Sequence, residues 1–326
     1  MVNRALFSII MPAYNRAHLI EEALDSVKQQ TYRPIELLVI NDGSTDSTRE
    51  VVEAWAQRNE ESDALIVKHF FQDNAGASAA RNTGIEKASG QYIQFFDSDD
   101  RLHPERLRRL ASTFETERCD FLQTGFEGFD AESGETIQTL YGKPNRDQLE
   151  LALAGSLWAN TLRSAFTAEL VRRMGPWNTE MTCFEDREYV ERAISQSAHA
   201  VAIEDVLASA RRGGSARISD KLRSYEGRTW RIYCESRLAE AVKDREDVSQ
   251  VAKQAFASRV YALGFRSNAS GWPDLGRKCG EIAAQMNVDL DTLGRRRRFF
   301  WRLGRSGGQL YNVAGSLKRM LTGWSR

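Results

Sequence analysis

The strongest constraint on the fold is an alternation of two periodicities over the first hundred residues. Short apolar runs predict four β-strands: ALFSIIM, IELLVI, ALIVKHF and QYIQFF. The segments between them place apolar residues at helical spacing, as Leu19, Ala23 and Val27 do in the first segment, and predict three helices. Because continuously apolar strands joined by helices need cover on both faces, the pattern predicts an α/β fold with a mostly parallel, Rossmann-like sheet flanked by helices.

Polar residues gather where these predicted strands end. PAYN follows the first strand, NDGSTD the second and DSDD the fourth. Parallel α/β sheets bind ligands outside the carboxyl ends of their strands, so we expect a binding site at this edge. The alternative for DSDD is a solvated turn, since Asp and Ser favour turns through hydrogen bonds to the backbone.

The second part of the chain has a looser pattern. CDFLQTGFEGFD and SGETIQTLY predict a β-hairpin, NTLRSAFTAELVRRMG a strand followed by a helix, and CFEDREYVERAISQS a helix with two acids in its first turn. From about residue 220 the sequence is helical and charged. We therefore expect one domain over 1–220 and a helical C-terminal region over 221–326.

Composition limits the class of protein. The four cysteines form no closely spaced pair, so a zinc site or disulfide framework is not expected and a reducing compartment fits. No apolar run approaches the length of about 18–20 residues that crosses a membrane. The opening resembles a signal peptide only slightly, because its apolar part is about six residues long and continues as a predicted strand. A cytoplasmic protein is expected.

Charge is unevenly distributed along the chain. Basic and acidic residues balance at 45 each, yet 293–326 contains nine basic residues and no acidic one. Basic residues mixed with Trp, Phe and Leu are typical of helices at anionic membrane surfaces, and predict peripheral attachment to the cytoplasmic face of the inner membrane. The alternative is that the apolar residues of this tail pack on the preceding domain. Nucleic acid is not an expected partner, because residues 1–292 carry the compensating negative charge.

Several phosphate-binding and hydrolase motifs are missing from the sequence. No GxGxxG follows the first strand, GxxxxGK[ST] and HExxH are missing, and no predicted strand leads into a GxSxG nucleophile elbow. What remains is a pair of acids at one strand end, Asp97 and Asp99, and Asp42 at a neighbouring one. Hard divalent cations take oxygen ligands, and Mg²⁺ is usually held by one or two carboxylates plus substrate phosphates. A cation-bridged diphosphate is the ligand that this pattern predicts.

Three segments of the sequence are FSIIMPAYNRAHLIEEALDSVKQQTYRPIELLVINDGSTDST, NAGASAARNTGIEKASGQYIQFFDSDD and MGPWNTEMTCFEDREYVERA. Together they resemble glycosyltransferase family 2 over roughly residues 5–220. The resemblance implies the GT-A fold, with a nucleotide-binding half over 1–105 and an acceptor-binding half over 106–220. It also implies an inverting, metal-dependent, hexosyltransferase-like enzyme that uses Mn²⁺ or Mg²⁺. The expected donor is a nucleotide-sugar, with UDP-sugar favoured, and the expected acceptor is a glycan or lipid-linked saccharide of a surface polysaccharide. The alternative is a catalytically inactive GT-A subunit that binds nucleotide-sugar.

The resemblance also assigns roles to matching residues on the nucleotide side. Asp42 resembles the aspartate that hydrogen-bonds the nucleobase, and Arg81 the arginine that braces the base side of the nucleotide. Pro12, Ala13 and Tyr14 resemble the loop that lines the base and ribose.

Further roles concern the cation and the reaction. DSD matches the DxD signature, so Asp97 is expected to face the ribose or the metal, and Asp99 to be the direct metal ligand. Inversion at an anomeric carbon requires a base beside the acceptor hydroxyl. The resemblance gives that role to Asp186, with Glu185 as its orienting or acceptor-binding neighbour. The alternative is that both acids only favour a helix N-terminus.

Structural alternatives stay open for several of these residues. Tyr14 is also consistent with a packed aromatic side chain, and Arg81 with a surface ion pair. Asp46 is expected to cap the second helix rather than to bind a ligand. Asp100 is expected to orient its acidic neighbours, Asp97 and Asp99, without binding the ligand itself.

One segment departs from the family pattern. Many relatives carry a histidine that helps to hold the metal or diphosphate, but the corresponding segment here is ARRGGSARIS, with Gly213 or Gly214 in that position. An arginine is the expected substitute, since its fork matches phosphate oxygens. The candidates are Arg211, Arg212 and Arg217.

Overall fold

The computed structural model describes residues 4–59, 64–213 and 218–288. The strands in these ranges are β1 (Phe7–Ala13), β2 (Ile35–Asp42), β3 (Leu65–Gln72), β4 (Tyr92–Phe95), β5 (Arg101–Leu102), β6 (Phe121–Asp130), β7 (Thr136–Leu140), β8 (Ser164–Thr167) and β9 (Ala200–Arg212). The helices are α1 (Ile20–Lys28), α2 (Thr48–Asn59), α3 (Ala77–Lys87), α4 (Arg106–Glu117), α5 (Gln148–Leu153), α6 (Ala168–Met174), α7 (Glu185–Gln196), α8 (Ile218–Arg223), α9 (Tyr225–Val242), α10 (Gln250–Ala269) and α11 (Pro273–Ala284).

All nine strands belong to one mixed sheet in the order β3-β2-β1-β4-β8-β6-β9-β5, with β7 paired to β6. The first half is parallel, because β1 pairs in parallel with both β2 and β4, and β2 with β3. The strand β8 then runs antiparallel between β4 and β6. The predicted α/β class, with a sheet flanked by helices, is confirmed. The sheet was expected to be mostly parallel, and its antiparallel pairs all involve strands outside the first half.

The second half combines a predicted and an unpredicted element. The hairpin of β6 and β7 was expected from the sequence and is present. The long strand β9, which pairs in parallel with β6, was not expected. Four of its 13 residues are alanine, which has low strand propensity. The pairing with β6, rather than the strand propensity of its own residues, therefore explains why this segment forms a strand.

The two faces of β1 are covered by different helices, and α3 lies very close to one of them. Phe7, Ile9 and Met11 of β1 are fully buried in one cluster with apolar residues of α1. On the other side of β1, a Cβ atom on Gly84 of α3 would lie 2.3 Å from Cγ2 of Ile10. Only glycine fits there, so α3 lies directly on β1.

The chain divides into two compact units. The first comprises Met1–Gln148 and Ala159–Arg217, and the second Leu149–Trp158 and Ile218–Arg326. Within the second unit, α10 and α11 pack closely, since a Cβ atom on Gly264 would lie 2.8 Å from Cβ of Cys279. The expected boundary lay at residue 220, and the sequence did not indicate that 149–158 groups with the C-terminal helices.

The basic tail over 293–326 lies outside the described residues, as do Arg217 and Gly214. Among the helices that the structure describes, none combines the length and the apolar composition needed to cross a membrane.

A buried carboxylate connects three segments of the parallel half. Glu36 of β2 is fully buried and accepts hydrogen bonds from Ser8 Oγ, from the Ser89 N–H at 2.5 Å and from the Gly90 N–H at 3.1 Å. Lys68 Nζ lies 3.4 Å from its other oxygen. Burial opposes ionisation, but these hydrogen bonds together hold the pKa of Glu36 below its ordinary value of 4.5.

We expect Glu36→Ala to lower the free energy of unfolding by about 2–4 kcal/mol at pH 7, because it leaves several buried donors without an acceptor. Since the folded-state pKa is depressed, this stabilisation is complete above the ordinary carboxyl pKa and is lost as the pH falls through the folded-state pKa. The difference between wild type and variant should therefore narrow in urea unfolding below pH 4.5. Glu53→Ala, which removes an exposed helix ion pair with Arg49, is the control and should change little at either pH. Equal effects of the two variants would contradict the role of Glu36.

Candidate functional site

The loops after β1 and β2 form one hydrogen-bonded surface. Asn15 has a left-handed backbone, and its Oδ1 accepts from the Thr45 N–H at 2.8 Å. Its own N–H donates to Ser44 Oγ at 3.0 Å. Tyr14, directly before it, is 46% exposed and is therefore not the packed aromatic residue that the sequence also allowed.

Two of the residues expected in this loop belong to the strand instead. Pro12 and Ala13 are the last two residues of β1, paired with Ile40 and Asn41 of β2, and both are buried. The expectation of a three-residue loop is corrected on this point, because the apolar run extends to Ala13. Only Tyr14 presents its side chain to solvent.

Asp42 ends β2 and organises the loop that leads into α3. Its carboxylate accepts from the backbone N–H groups of Ala75 at 3.0 Å and Gly76 at 2.8 Å, and from Gln72 Nε2 at 2.7 Å. The side chain is 3% exposed. These bonds fix the start of α3 relative to β2, a role that the sequence did not indicate. Its contact with a nucleobase stays a prediction.

Asp46 caps α2, as the sequence predicted. Its Oδ1 accepts from the Thr48 N–H at 3.0 Å, and its Oδ2 accepts from the Ala17 N–H at 3.1 Å. The cap therefore also connects α2 to the loop after β1.

Arg81 of α3 lies between two acids that are far apart in the sequence. Its Nη2 is 2.8 Å from Oδ1 of Asp97 and 3.6 Å from Oδ1 of Asp186, and only 4% of its side chain is exposed. Burial alone would lower the pKa of this guanidinium, but Asp97, Asp186 and Glu185 raise it above its ordinary value. The structure thus places Arg81 in a buried ion-pair network, rather than in a surface ion pair.

Trp177 fixes this arrangement from a second side. Its ring lies 4.5 Å beneath the Arg81 guanidinium and stacks on Tyr189 of α7 at 4.0 Å. Asn82, the neighbour of Arg81, exchanges two hydrogen bonds with the Trp177 backbone, at 3.0 and 2.8 Å. The segment before α7 is therefore docked on α3. The sequence contained these residues in the quoted blocks but no pattern that paired them.

Burial and neighbouring charges both act on the carboxyl of Asp186. It follows Glu185, the first residue of α7, and its side chain is 29% exposed although its Oδ1 is buried. Burial raises the pKa of Asp186 to about 6 from 3.8, opposed by Arg81 and reinforced by Asp97 and Glu185. A carboxyl with this pKa is ionised at neutral pH and can accept a proton more readily than an ordinary aspartate.

Asp99 lies at the open side of the same edge. Its Oδ2 is 3.6 Å from Nη2 of Arg16, and the two side chains are 35% and 39% exposed. Burial and then the charge of Asp97 raise the pKa of Asp99, while Arg16 and Arg211 oppose the rise. The two acids of DSD are thus close enough to repel each other.

Asp100 and Arg211 support this turn from behind, as expected for Asp100. The Arg211 N–H donates to Oδ1 of Asp100 at 2.9 Å, and its Nε donates to the Asp99 carbonyl at 3.2 Å. The Arg211 guanidinium also pairs with Glu22 and lies 4.8 Å from the ring of Phe129. Burial, followed by the two other acids, raises the pKa of Asp100 well above its ordinary value.

Within 4–59, 64–213 and 218–288, no group of three or more His, Cys, Asp or Glu side chains is arranged to hold a metal ion. Two carboxylates, those of Asp97 and Asp99, are partly exposed beside each other at the strand end. A site that relies on ligand phosphates needs no third carboxylate.

Comparison with known proteins places this arrangement in a family. The sequence model for glycosyl transferase family 2 matches residues 8–165, which include nearly all of the parallel half and both DSD acids. This part of the chain belongs to glycosyltransferase family 2. Its fold is the GT-A fold: the UDP complex of Staphylococcus aureus TarS 1–349 superimposes with a TM-score of 0.70 over 93% of this chain and 87% of that chain, at 18% identity.

Family 2 relatives differ in how much of their length this chain matches. EpsJ of Bacillus subtilis is 42% identical over 121 residues, which are 37% of this chain and 34% of EpsJ. YibD of Escherichia coli is 35% identical over 133 residues, 41% of this chain and 37% of YibD. TuaG of B. subtilis, whose name assigns it to teichuronic acid biosynthesis, is 27% identical over 260 residues, 79% of this chain and 98% of TuaG. The chain thus spans about a third of the first two relatives and nearly all of the third.

Proposed function

We propose that this protein is an inverting glycosyltransferase that moves a sugar from a nucleotide-sugar to a saccharide acceptor. The observation that carries the proposal is the Arg81 bridge, which holds an acid of the strand-end pair and the raised-pKa Asp186 in one site. Transfer needs both a binding site for the diphosphate and a base near the sugar. Arg81 brings together Asp97, a candidate for the first, and Asp186, a candidate for the second.

The proposed donor is a UDP-sugar bound by the half of the domain over 1–105. Tyr14 is exposed beside the strand ends, and Asp42 holds the loop that begins α3. In the TarS structures the bound ligands are UDP and UDP-GlcNAc, which supports a uridine nucleotide without fixing the sugar.

A divalent cation, Mn²⁺ or Mg²⁺, fits the strand-end acids. Asp97 and Asp99 are partly exposed, and their mutual repulsion contributes to the raised pKa of Asp99. A cation bound by these two carboxylates would relieve the repulsion and supply charge neutralisation for the departing diphosphate. Arg211 is less suited to contact the diphosphate, because its guanidinium is already bound by Glu22 and the Asp99 carbonyl.

Asp186 acts as the base in this proposal. It accepts the proton of the acceptor hydroxyl while the oxygen bonds to the anomeric carbon and the bond from that carbon to the phosphate oxygen breaks. Arg81 holds the Asp186 carboxylate in place, and Glu185 lies at the start of the same helix. The half over 106–220 contributes the acceptor side.

The proposed acceptor is a glycan or lipid-linked saccharide in surface polysaccharide biosynthesis. Support comes from TuaG, whose name assigns it to teichuronic acid biosynthesis and which matches this chain over 98% of its own length.

Asp186→Asn should reduce turnover by at least about 100-fold, typical of losing a general base, while nucleotide binding stays close to wild type. Because only the ionised carboxylate accepts a proton, the wild-type kcat/KM should rise as the pH increases through about 6 and then level off. The variant should lose this rise. Steady-state rates over pH 5–8 and calorimetric nucleotide binding measure both effects.

Asp205→Asn, which alters an exposed acid paired with Arg109, is the matched control and should keep both the rate and the pH profile. If Asp186→Asn binds nucleotide poorly but turns over bound substrate normally, Asp186 is not the base. A wild type that binds nucleotide-sugar but transfers no sugar would favour a binding subunit instead.

We further propose that the basic tail over 293–326 attaches the protein to anionic membrane, which would bring the site to a lipid-linked acceptor. The support is the sequence alone: nine basic residues with Trp, Phe and Leu and no acid.

Removing 293–326 should release the protein from anionic vesicles at low salt and leave donor hydrolysis intact, because each basic residue contributes about 1 kcal/mol near such a surface. Vesicle co-sedimentation at increasing salt measures the attachment. Full-length protein that does not sediment with anionic vesicles at low salt, or a truncation that unfolds, would contradict it.

A further inference from the structure

Each partly exposed acid of the DSD motif is paired with an arginine. Asp97 lies 2.8 Å from Arg81, and Asp99 lies 3.6 Å from Arg16. The two carboxylates are 36% and 35% exposed. Both charges are thus partly neutralised by arginines of the chain itself.

The two arginines differ in how firmly they are held. Arg81 is 4% exposed, contacts a second acid and lies on the Trp177 ring. The Arg16 side chain is 39% exposed, and its guanidinium contacts are long, 3.6 Å to Asp99 and 3.5 Å to the Asn15 carbonyl. Arg81 is therefore fixed, whereas the guanidinium of Arg16 can leave Asp99 at little cost.

The backbone of Arg16 is nevertheless held in place. Its N–H donates to Thr48 Oγ1 at 2.7 Å, and the next N–H, that of Ala17, donates to Asp46. The side chain therefore starts from a fixed point beside the strand-end acids. Any movement of the guanidinium is confined to the space around Asp99.

A cation bound at Asp99 would repel Arg16, and a diphosphate bound to that cation would attract it. A guanidinium forms charge-assisted, bidentate hydrogen bonds to phosphate oxygens. Arg16 thus competes with the cation when the cation is alone, and assists its binding when a diphosphate is present.

We propose that Arg16 transfers from Asp99 to the diphosphate of the donor, so that divalent cation and nucleoside diphosphate bind cooperatively. This inference rests on the proposed function and adds to it a positioning residue and a mode of coupling. Because coupling between two ligands is reciprocal, removing Arg16 should reduce the effect of each ligand on the affinity of the other.

The test uses the full chain with Arg16→Gln, and Arg16→Lys to restore the charge. The matched control is Arg109→Gln, which breaks a 3.2 Å pair with Asp205 of similar exposure, 51% and 38%. Titration calorimetry with Mn²⁺ alone, UDP alone, uridine alone, and UDP in the presence of Mn²⁺ separates the contributions.

Arg16→Gln should bind Mn²⁺ alone about twofold to fivefold more tightly, because a competing exposed ion pair is gone. In the presence of Mn²⁺, the same variant should bind UDP about tenfold or more weakly than wild type does, which is the usual effect of losing a hydrogen bond to a charged group. Uridine affinity should not change, Arg16→Lys should recover part of the UDP affinity, and Arg109→Gln should match wild type throughout. A merely structural role would weaken Mn²⁺ and UDP binding together.

Unchanged or weaker Mn²⁺ binding by Arg16→Gln, or unchanged UDP binding, would overturn this inference while leaving the proposed function in place. A wild type that binds no Mn²⁺ would overturn both the cation site and the role of Arg16. A wild type that binds Mn²⁺ but not UDP would overturn the proposed UDP donor and the transfer of Arg16 together.

Discussion

The position of one buried guanidinium determines how this site is assembled. Arg81 contacts Asp97 at the end of β4 and Asp186 at the start of α7, two acids that would otherwise repel each other in a poorly solvated space. The guanidinium reaches them because Gly84 lets α3 lie on β1 and because Trp177 supports it from below. The strand ends supply the two DSD acids, and this one residue brings Asp186 to the same place.

Much of the parallel half could be predicted from local sequence. The strands β1 and β2 are continuously buried apolar runs, α1 has one apolar face, and acids lie at or just after the ends of β2 and β4, so pattern and structure agree there. The cap by Asp46 was predictable for the same reason, since capping involves residues two positions apart. The prediction failed at the edge of the first loop, where an apolar run extends through Pro12 and Ala13 and keeps both in β1.

The remaining features depend on contacts between distant residues. The strand β9 is rich in alanine and forms because β6 offers a partner, and it carries Arg211 to the back of the DSDD turn. The pairing of Asn82 with Trp177 joins residues 95 positions apart, and the bridge from Arg81 to Asp186 spans a similar distance. No periodicity records such pairs, so the sequence indicated the residue types of the site but not its geometry.

We propose that the strand-end acids of this domain bind a nucleoside diphosphate through a divalent cation, and that Asp186, which Arg81 bridges to them, does not itself bind the nucleotide. Calorimetric titration of UDP, GDP, CDP, ADP and dTDP, each with Mn²⁺ and with EDTA, tests it most directly on wild type, Asp99→Asn and Asp186→Asn. At least one of these, with UDP favoured, should bind wild type and Asp186→Asn when Mn²⁺ is present, and should bind much more weakly in EDTA or to Asp99→Asn. Binding of none of them, or binding that is equal with EDTA and in Asp99→Asn, would contradict it.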